Sequence, residues 1–419
     1  MGTIAAGGSP HSNGQKRASA RRYDQVLPLM SMSVTPAYCT QMLDKVDDLV
    51  SKKFWKVESV AAWKTAVASL RPKIIGSNNL VELDANINEA LSSLHASHTE
   101  FVTVNDEIFY FLKTMFGHAR NKKAAMMDFT GAVTGGGDCK PNQVRYVLDG
   151  GPADVAGIKP GDEIVSVDGE PYIGQFSFDG KAGKPVAIHV LRTDVGERTL
   201  TVKPTRADDY QQYLDATTRS ATIIKREGKK IAYMHVWCGG NEEHDIIETL
   251  LGGKLQASDG LIFDIRDGYG GNYYDDLDYF YRPAAGYPLW KTMSREGKHE
   301  DNYLYYDKPV VALINAGSRS GKELVAYSLK KTQRAPLVGE RTAGFVLGGR
   351  LFDLDDRCAI YLAVEGPTAD SVNLEAIGVD PDIVVKRNCD DRSKGDAQLD
   401  TAIKTLLEKL KPAAAAPSI

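Results

Sequence analysis

The sequence predicts an α/β multidomain protein with a helical N-terminal region, a β-rich central domain and an α/β core. Its 419 residues are 42% hydrophobic and 25% charged, which provides enough apolar material for two or three separately packed domains. Helical periodicity in the first part, short strands between glycine turns in the middle, and alternating strands and helices at the end support this division. We therefore expect three structural units in this order.

The first unit is predicted to be helical, from residue 35 to residue 120. Apolar residues recur there at intervals of three or four, as they do in amphipathic helices; they include Met42, Val46, Leu83 and Ile87. Residues 1–34 have the composition of a disordered leader or of a remnant export signal. We expect an extracytoplasmic location, for instance the periplasm, with the cytoplasm as the alternative.

The second unit, residues 121–206, is predicted to be rich in β-structure. The runs VRYVL and VAIHVLR are separated by glycine-containing turn signals. Within the segment GGPADVAGIKPGDEIVSVDGEPY, Pro152 favours the start of a one-turn helix, and Asp168-Gly169 favours a turn after an alternating strand. We expect a small β-domain built around this segment.

The third unit, residues 207–412, is predicted to be an α/β core, followed by a disordered tail at 413–419. The strands KIAYMHVW, GLIFDIR and PVVALIN alternate with helical segments, which is typical of parallel βαβ units. Ligands bind such sheets beyond the carboxyl ends of the strands. The residues that follow these strands are therefore the candidates for chemistry.

Ser320 is the candidate nucleophile because it lies in AGSRSGKE, between a buried strand and a helix. A turn of this kind exposes a hydroxyl and directs free backbone N–H groups toward whatever the hydroxyl attacks. The alternative is structural: Ser318 or Ser320 merely caps the helix, with Glu323, three residues beyond Ser320, completing a capping box.

A glycine turn and a histidine could complete such a site. The turn in FDIRDGYGGN follows a buried strand and could bind an oxyanion, although most glycine turns are only turns. His98 lies at a helix-to-strand junction beside Ser97, where a side chain can reach a cleft and act as a base. The alternative for His98 is an ordinary packed histidine.

Composition argues against several other classes of function. The formal net charge of −4 provides no basic surplus for a nucleic-acid backbone, and no apolar run reaches the roughly 20 residues that a membrane-spanning helix needs. The cysteines lack the CxxC spacing of metal and redox sites, so we expect no metal and no organic cofactor. A single bridge, such as Cys358 to Cys389, would be compatible with an oxidising compartment. The cysteines are Cys39, Cys139, Cys238, Cys358 and Cys389.

Taken together, these motifs resemble those of the tail-specific (C-terminal processing) serine proteases. SHT, the segment of residues 150–172, DIRDGYGG, GSRSGKE, VGERTAG and EAIGVDPD occur in that family's order, and the resemblance covers about residues 36–410. It implies that the β-rich domain is a PDZ domain, which binds peptide ends. It also implies a catalytic core of the ClpP/crotonase type that needs no cofactor.

The resemblance favours one of the two catalytic designs in this superfamily. Where the serine-lysine branch has its lysine, about 25 residues after the nucleophile, this chain has Phe345 in TAGF. Lys322 is too close to Ser320 in sequence to replace that lysine, and we expect Lys322→Ala to be nearly silent. The chain instead is similar to the branch typified by the tricorn protease core, which uses serine, histidine, a second serine and glutamate.

The resemblance to that branch assigns a role to each candidate residue. Ser320 would attack the scissile carbonyl, His98 would accept its proton, and Ser97 and Glu375 would orient the imidazole. The expected oxyanion hole consists of backbone N–H groups of Gly271 or Gly270 and Gly321. The chain departs from the family at Gly268, where an asparagine is usual, and at SGKE, where SASE is common.

These observations predict a serine endopeptidase that cleaves unstructured polypeptides, near their C-termini, after capture or gating by the PDZ domain. The expected partners are unfolded proteins or peptides, and no nucleic acid or integral membrane span is expected. A different class stays open. Some relatives of this fold, such as the interphotoreceptor retinoid-binding modules, bind apolar ligands, so the alternative is a catalytically weak or inactive binding protein.

Overall fold

The computed structural model describes residues 32–118, 124–271, 278–282, 291–297, 299–301, 304–366, 368 and 370–411. The predicted leader or signal lies almost entirely outside the described residues, and the predicted tail lies wholly outside them. Within the described ranges, no helix combines the length and the apolar composition that a bilayer crossing requires.

The N-terminal region is mainly helical, as predicted. It contains α1 (Pro36–Lys53), α2 (Val60–Ile75), α3 (Leu80–Leu91), β1 (Glu100–Thr103) and α4 (Glu107–His118). The Thr35 side chain caps α1 by accepting a hydrogen bond from the Tyr38 N–H at 3.2 Å. The apolar faces of α1, α2 and α3 pack around Trp63, which is fully buried. This packing anchors the segment between α3 and β1, which carries Ser97 and His98.

The central domain is an antiparallel sheet with one short helix. It contains β2 (Met126–Phe129), β3 (Ala132–Gly136), β4 (Cys139–Val147), α5 (Pro152–Val155), β5 (Glu163–Val167), β6 (Glu170–Pro171), β7 (Val186–Arg192), β8 (Gly196–Val202) and β9 (Thr205–Asp208). The strand order is β3-β4-β5-β7-β8, and β2 pairs separately with β9. Pro152 begins α5, and the predicted turn is present at Asp168 and Gly169, whose φ values are 53° and 86°.

The third unit is an α/β core. It contains α6 (Asp209–Ser220), β10 (Thr222–Arg226), β11 (Lys229–His235), α7 (Asn241–Gly252), β12 (Gly260–Asp264), β13 (Lys291–Met293), β14 (His299–Asp301), β15 (Val310–Ile314), α8 (Gly321–Lys331), β16 (Leu337–Gly339), β17 (Gly348–Asp353), β18 (Cys358–Glu365), β19 (Ile383–Val384) and α9 (Ala397–Lys409). The main sheet has the order β10-β11-β12-β15-β16-β19, and it is parallel from β11 to β19. All residues of β12 and β15 are buried, so helices cover both faces of the sheet.

The three units are joined by strand pairing and by shared packing. β1 pairs with β18, which brings the segment before β1 to the core. Phe129 and Tyr146 of the β-rich domain lie in one hydrophobic cluster with Tyr213 and Trp237 of the core. The predicted fold class, with its helical, β-rich and α/β units in this order, is confirmed.

A disulfide also joins the β-rich domain to the C-terminal part of the chain. It links Cys139 at the start of β4 to Cys389, with their Cα atoms 5.2 Å apart. The suggested pairing of Cys358 with Cys389 is therefore wrong. Cys358 is a buried free thiol, hydrogen-bonded to the Tyr38 hydroxyl at 3.3 Å. The sequence offered no means of choosing among the cysteines, because their pairing depends on how the domains pack.

Candidate active site

Ser320 lies in a strained turn between β15 and α8. Its φ of 58° and ψ of −128° are unfavourable for a residue with a Cβ atom. Its N–H donates to the Phe345 carbonyl at 2.7 Å, but its side chain makes no helix-capping hydrogen bond. The structural alternative, in which Ser320 serves only as a cap, is therefore wrong, and the hydroxyl is left to face the neighbouring cleft.

Glu323, the expected capping-box partner, instead supports a neighbouring loop. Its carboxylate accepts hydrogen bonds from the Thr342 hydroxyl at 2.5 Å, the Gly344 N–H at 2.7 Å and the Phe345 N–H at 2.6 Å. Burial raises the pKa of Glu323, while these hydrogen bonds oppose the increase. Glu323 therefore holds the loop whose Phe345 carbonyl anchors Ser320. The spacing SxxE identified Glu323 as a candidate for a hydrogen-bonding role, but its partners became clear only from the fold.

His98, Ser97 and Glu375 form a chain of hydrogen bonds. The Ser97 hydroxyl lies 2.9 Å from His98 Nδ1 and donates to Glu375 Oε2 at 3.0 Å, and the Ser97 N–H donates to Glu375 Oε1 at 2.9 Å. A hydroxyl has one proton. Since that proton goes to Glu375, His98 Nδ1 must be the donor to Ser97, which leaves His98 Nε2 as an acceptor.

The surroundings of His98 favour the neutral imidazole. Its ring packs edge-on against Tyr361, with the centroids 5.3 Å apart, and its backbone has a φ of 51°. Burial lowers the pKa of His98 to about 3, and the positive charge of Arg319 contributes in the same direction. At neutral pH, His98 is therefore uncharged and able to accept a proton.

Ser320 and His98 line one cleft of about 650 Å³. Gly270, Gly271 and Gly321 line the same cleft, whereas Ser97 contacts the His98 ring and Glu375 contacts Ser97. The structure thus brings all the predicted site residues together. One wall is apolar and comes largely from α4, through Ile108, Phe111, Leu112, Met115 and Phe116.

The glycine turn after β12 lies directly against Ser320. A Cβ atom added to Gly270 would be 2.4 Å from the Ser320 Cβ, and one added to Gly271 would be 2.4 Å from the Gly239 carbonyl carbon, so glycine is required at both positions. Within the described residues, the N–H groups of Gly270, Gly271 and Gly321 have no backbone acceptor. Free N–H groups beside a hydroxyl can stabilise a developing oxyanion.

Lys322 has a structural role that the sequence did not reveal. Its side chain is fully buried, and its ammonium group donates to the carbonyls of Trp237 at 3.2 Å, Arg266 at 3.5 Å and Asp267 at 2.6 Å. Burial lowers the pKa of Lys322 to about 8. These contacts connect α8 to the glycine turn, so Lys322→Ala would also remove buried hydrogen bonds there. That the substitution is nearly silent for catalysis stays a prediction.

Arg145 of β4 reaches the same turn from the β-rich domain. It donates to Asp267 Oδ1 from Nε at 2.9 Å, and Asn315 donates to the second carboxylate oxygen at 2.9 Å. Although burial acts to raise the pKa of Asp267, the charge of Arg145 lowers it below the usual range. The β-rich domain therefore contacts the residue that begins the glycine turn.

Among the described residues, neither His235 nor the disulfide-bonded cysteines provide a rival site. His235 is buried, stacks on Trp237 with centroids 3.6 Å apart, and bonds the Arg266 carbonyl through Nε2 at 2.9 Å. In the part of the chain that the structure describes, the one group of potential metal ligands close enough together comprises Asp138 and the two disulfide-bonded cysteines. A disulfide sulfur is no longer the thiolate that binds metals.

Known families match both the core and the β-rich domain. Residues 230–385 match Peptidase family S41, and residues 143–179 match the PDZ domain. A carboxyl-terminal-processing protease of Synechocystis sp. is 28% identical over 261 residues, which cover 58% of this chain and 59% of that protein. Tricorn protease homolog 1 of Streptomyces coelicolor is 29% identical over 287 residues, 62% of this chain and 25% of that protein.

A solved structure supports the same fold. The crystal structure of the tricorn protease matches 90% of this chain and 37% of that chain, with a TM-score of 0.54 and 20% identity. The present chain spans less than two thirds of the length of the two relatives named above. The family matches, the relatives and the shared fold agree with the resemblance found in the motifs. Residues 230–385 of this chain are thus identified with peptidase family S41, and residues 143–179 with the PDZ domain.

Proposed function

We propose that this protein is a serine endopeptidase that cleaves unstructured polypeptides near their C-termini, with Ser320 as the nucleophile. The observation that carries the proposal is the hydrogen-bonded chain from His98 through Ser97 to Glu375, in the cleft that also contains Ser320. A serine alone is a weak nucleophile, and it needs a positioned base to lose its proton.

In this mechanism His98 is the general base. Its Nε2 accepts the Ser320 proton as the hydroxyl attacks the scissile carbonyl, and later returns it to the leaving amine. The imidazolium that forms in between is stabilised by the Glu375 carboxylate through the Ser97 hydroxyl. N–H groups of Gly321 and of Gly270 or Gly271 bind the oxyanion, at roughly 3–4 kcal/mol per donor.

The alternative base, a lysine, finds no support in the described residues near Ser320. Phe345 occupies the position of the family's catalytic lysine, and its side chain is 47% exposed. Lys322 is the nearest lysine in sequence, but its ammonium group is bound to three backbone carbonyls. A protonated amine held in this way cannot take a proton from Ser320.

The substrate class follows from the family and from the PDZ domain. The relatives include proteins named as carboxyl-terminal-processing proteases, and PDZ domains bind extended peptide ends by adding a strand to a sheet edge. In this chain β3 and β8 are the edges of that sheet. The PDZ domain would thus capture an unfolded tail and deliver it to the cleft.

A binding protein is the second candidate, because the apolar wall from α4 would suit an apolar ligand without any reaction. Labelling with a serine-directed fluorophosphonate separates the two candidates. The peptidase predicts stoichiometric labelling of the parent protein and none of Ser320→Ala, together with hydrolysis of an unfolded substrate by the parent alone. An unlabelled parent that binds an apolar fluorophore tightly would support the binding protein instead.

A further inference from the structure

Arg319 is a cation in the catalytic cleft, and its guanidinium donates no hydrogen bond to any residue that the structure describes. It precedes Ser320 directly and lines the cleft, half-buried. Its guanidinium carbon lies 4.5 Å from the centroid of the Tyr269 ring, which stacks in turn on Phe111 with centroids 3.8 Å apart. Among the described residues, no carboxylate lies within ion-pair distance of Arg319.

Two acidic groups near Arg319 are engaged elsewhere. Glu107 accepts a hydrogen bond from the Tyr213 hydroxyl at 3.0 Å, and burial raises its pKa to about 7 even though the charge of Arg319 acts to lower it. Glu365, at the edge of the cleft, pairs with Arg350 at 3.3 Å. Neither of these side chains forms an ion pair with Arg319.

A guanidinium of this kind suits a carboxylate. Its planar fork can donate two parallel hydrogen bonds to one carboxylate, and stacking on Tyr269 restricts its orientation before a ligand arrives. Because the half-buried guanidinium is partly shielded from solvent, its attraction to an anion that enters with the substrate is screened less than in bulk water. Its position next to Ser320 places such an anion close to the reacting bond.

We propose that Arg319 binds a carboxylate of the substrate next to the scissile bond and thereby determines which bond is cut. The carboxylate is either the α-carboxylate of a short C-terminal tail or the side chain of an acidic residue. This inference rests on the proposed peptidase function, and it assigns to the catalytic cleft a recognition step that is separate from capture by the PDZ domain.

The test compares matched internally quenched peptides at pH 8, well above the pKa of His98. One pair differs only in a C-terminal carboxylate or amide. The second set consists of peptides with a C-terminal amide. In each of them one position within two residues of the cleaved bond carries either glutamate or its neutral counterpart, glutamine. We expect the parent to prefer at least one carboxylate peptide by about tenfold or more in kcat/KM. The preferred peptide identifies the source of the carboxylate.

Arg319→Met should reduce that preference to less than about twofold, because only the charged substrate loses its partner. Arg319→Lys keeps the charge without the planar fork and should give an intermediate ratio; it also serves if Arg319→Met has no measurable turnover. Arg350→Met removes a nearby arginine already paired with Glu365 and should leave the ratio unchanged. Each ratio is taken within one variant, so a general loss of activity cancels.

Two results would overturn the inference. The parent could show no preference for any carboxylate peptide, or the preference could survive in both Arg319 variants, which would assign it to the PDZ domain or another site. In either case turnover and fluorophosphonate labelling of Ser320 would leave the proposed peptidase intact. Absence of labelling and of all cleavage by the parent would instead reject the peptidase itself.

Discussion

Glu375 accepts two hydrogen bonds from Ser97, one from its N–H at 2.9 Å and one from its hydroxyl at 3.0 Å, although the two residues are 278 positions apart. It also accepts the Val346 N–H at 2.9 Å. One carboxylate therefore fixes the segment that carries His98 relative to the loop that follows Phe345. This arrangement joins the N-terminal region to the core at the proposed catalytic site.

We expect Glu375→Gln to lower kcat by roughly 10- to 100-fold, with little change in KM, because a neutral amide stabilises the imidazolium less well. Steady-state kinetics on a short peptide checks this, with circular dichroism to confirm the fold. Asp370→Asn is the matched control, since Asp370 is exposed and bonds Tyr327 and Lys331 rather than Ser97. Parent-like turnover in Glu375→Gln would remove Glu375 from the proposed mechanism.

The pH dependence should reflect the lowered pKa of His98. The neutral imidazole is the active form, so a free-enzyme pKa of about 3 moves the acid limb of kcat/KM well below the ordinary histidine value of about 6.5. An acid limb at 6.5, which the sequence alone would suggest, is therefore not expected. Arg319→Met should move the limb upward, because it removes a charge that disfavours the imidazolium.

Unfolding must be followed in the same pH series. The folded pKa of His98 lies below its unfolded value, so the unfolded chain binds more protons between about pH 6.5 and pH 3, and stability falls as pH is lowered through this window. Intrinsic fluorescence at each pH separates this loss from protonation of the base. If the acid limb of kcat/KM lay near pH 6.5 while the protein was still folded, it would contradict the lowered pKa of His98.

Lys322→Met should reduce the free energy of unfolding by about 1–3 kcal/mol, because carbonyl groups of Trp237 and Asp267 lose their buried donor. Denaturant unfolding followed by circular dichroism measures this difference. Lys404→Met, on the exposed face of α9, is the control and should change stability by less than about 0.5 kcal/mol. If Lys322→Met were as stable as that control, the three hydrogen bonds from Lys322 to backbone carbonyls would make no measurable contribution to the free energy of unfolding.

Arg145→Met should lower kcat even on short peptides, because it removes the contact between β4 and Asp267 at the start of the glycine turn. We expect a loss of about tenfold. Part of any loss of stability comes from leaving the buried Asp267 carboxylate with only the more distant Arg392, at 3.7 Å, as its ion-pair partner, so Arg145→Met/Asp267→Asn is measured beside it. Arg198→Met removes an exposed arginine from β8. It is the control for the loss of one positive charge from the same domain. Full activity in Arg145→Met would show that the contact between the PDZ domain and the glycine turn does not affect catalysis.

Deleting the β-rich domain would not measure its contribution to substrate capture cleanly. We would expect such a deletion to affect protein substrates more than short peptides if the domain only captured chains. However, Tyr146 bonds the Tyr213 hydroxyl at 2.9 Å, and Trp237 bonds Asp149 at 2.7 Å. Removal would expose this shared packing, so point substitutions on the domain are needed to measure its contribution.

The fold order and the candidate residues could be predicted because each has a local signature. A buried strand followed at once by a helix marked Ser320, and glycine after a second buried strand marked Gly270. The roles of Lys322 and Arg145 could not be predicted, because each depends on carbonyl or carboxylate groups that only the tertiary fold brings close. The disulfide partner of Cys389 was missed for the same reason: it lies 250 residues away, in another domain.

The central claim is that Ser320 and His98 act as one proton-transfer unit. The direct test is kcat/KM for Ser320→Ala, His98→Ala and the double variant on one peptide at pH 8. We predict that each single variant loses activity to a similar extent, and that the double variant is little worse than either one, because removing one member disables the other. Near-parent turnover in His98→Ala, or losses that multiply in the double variant, would contradict the account.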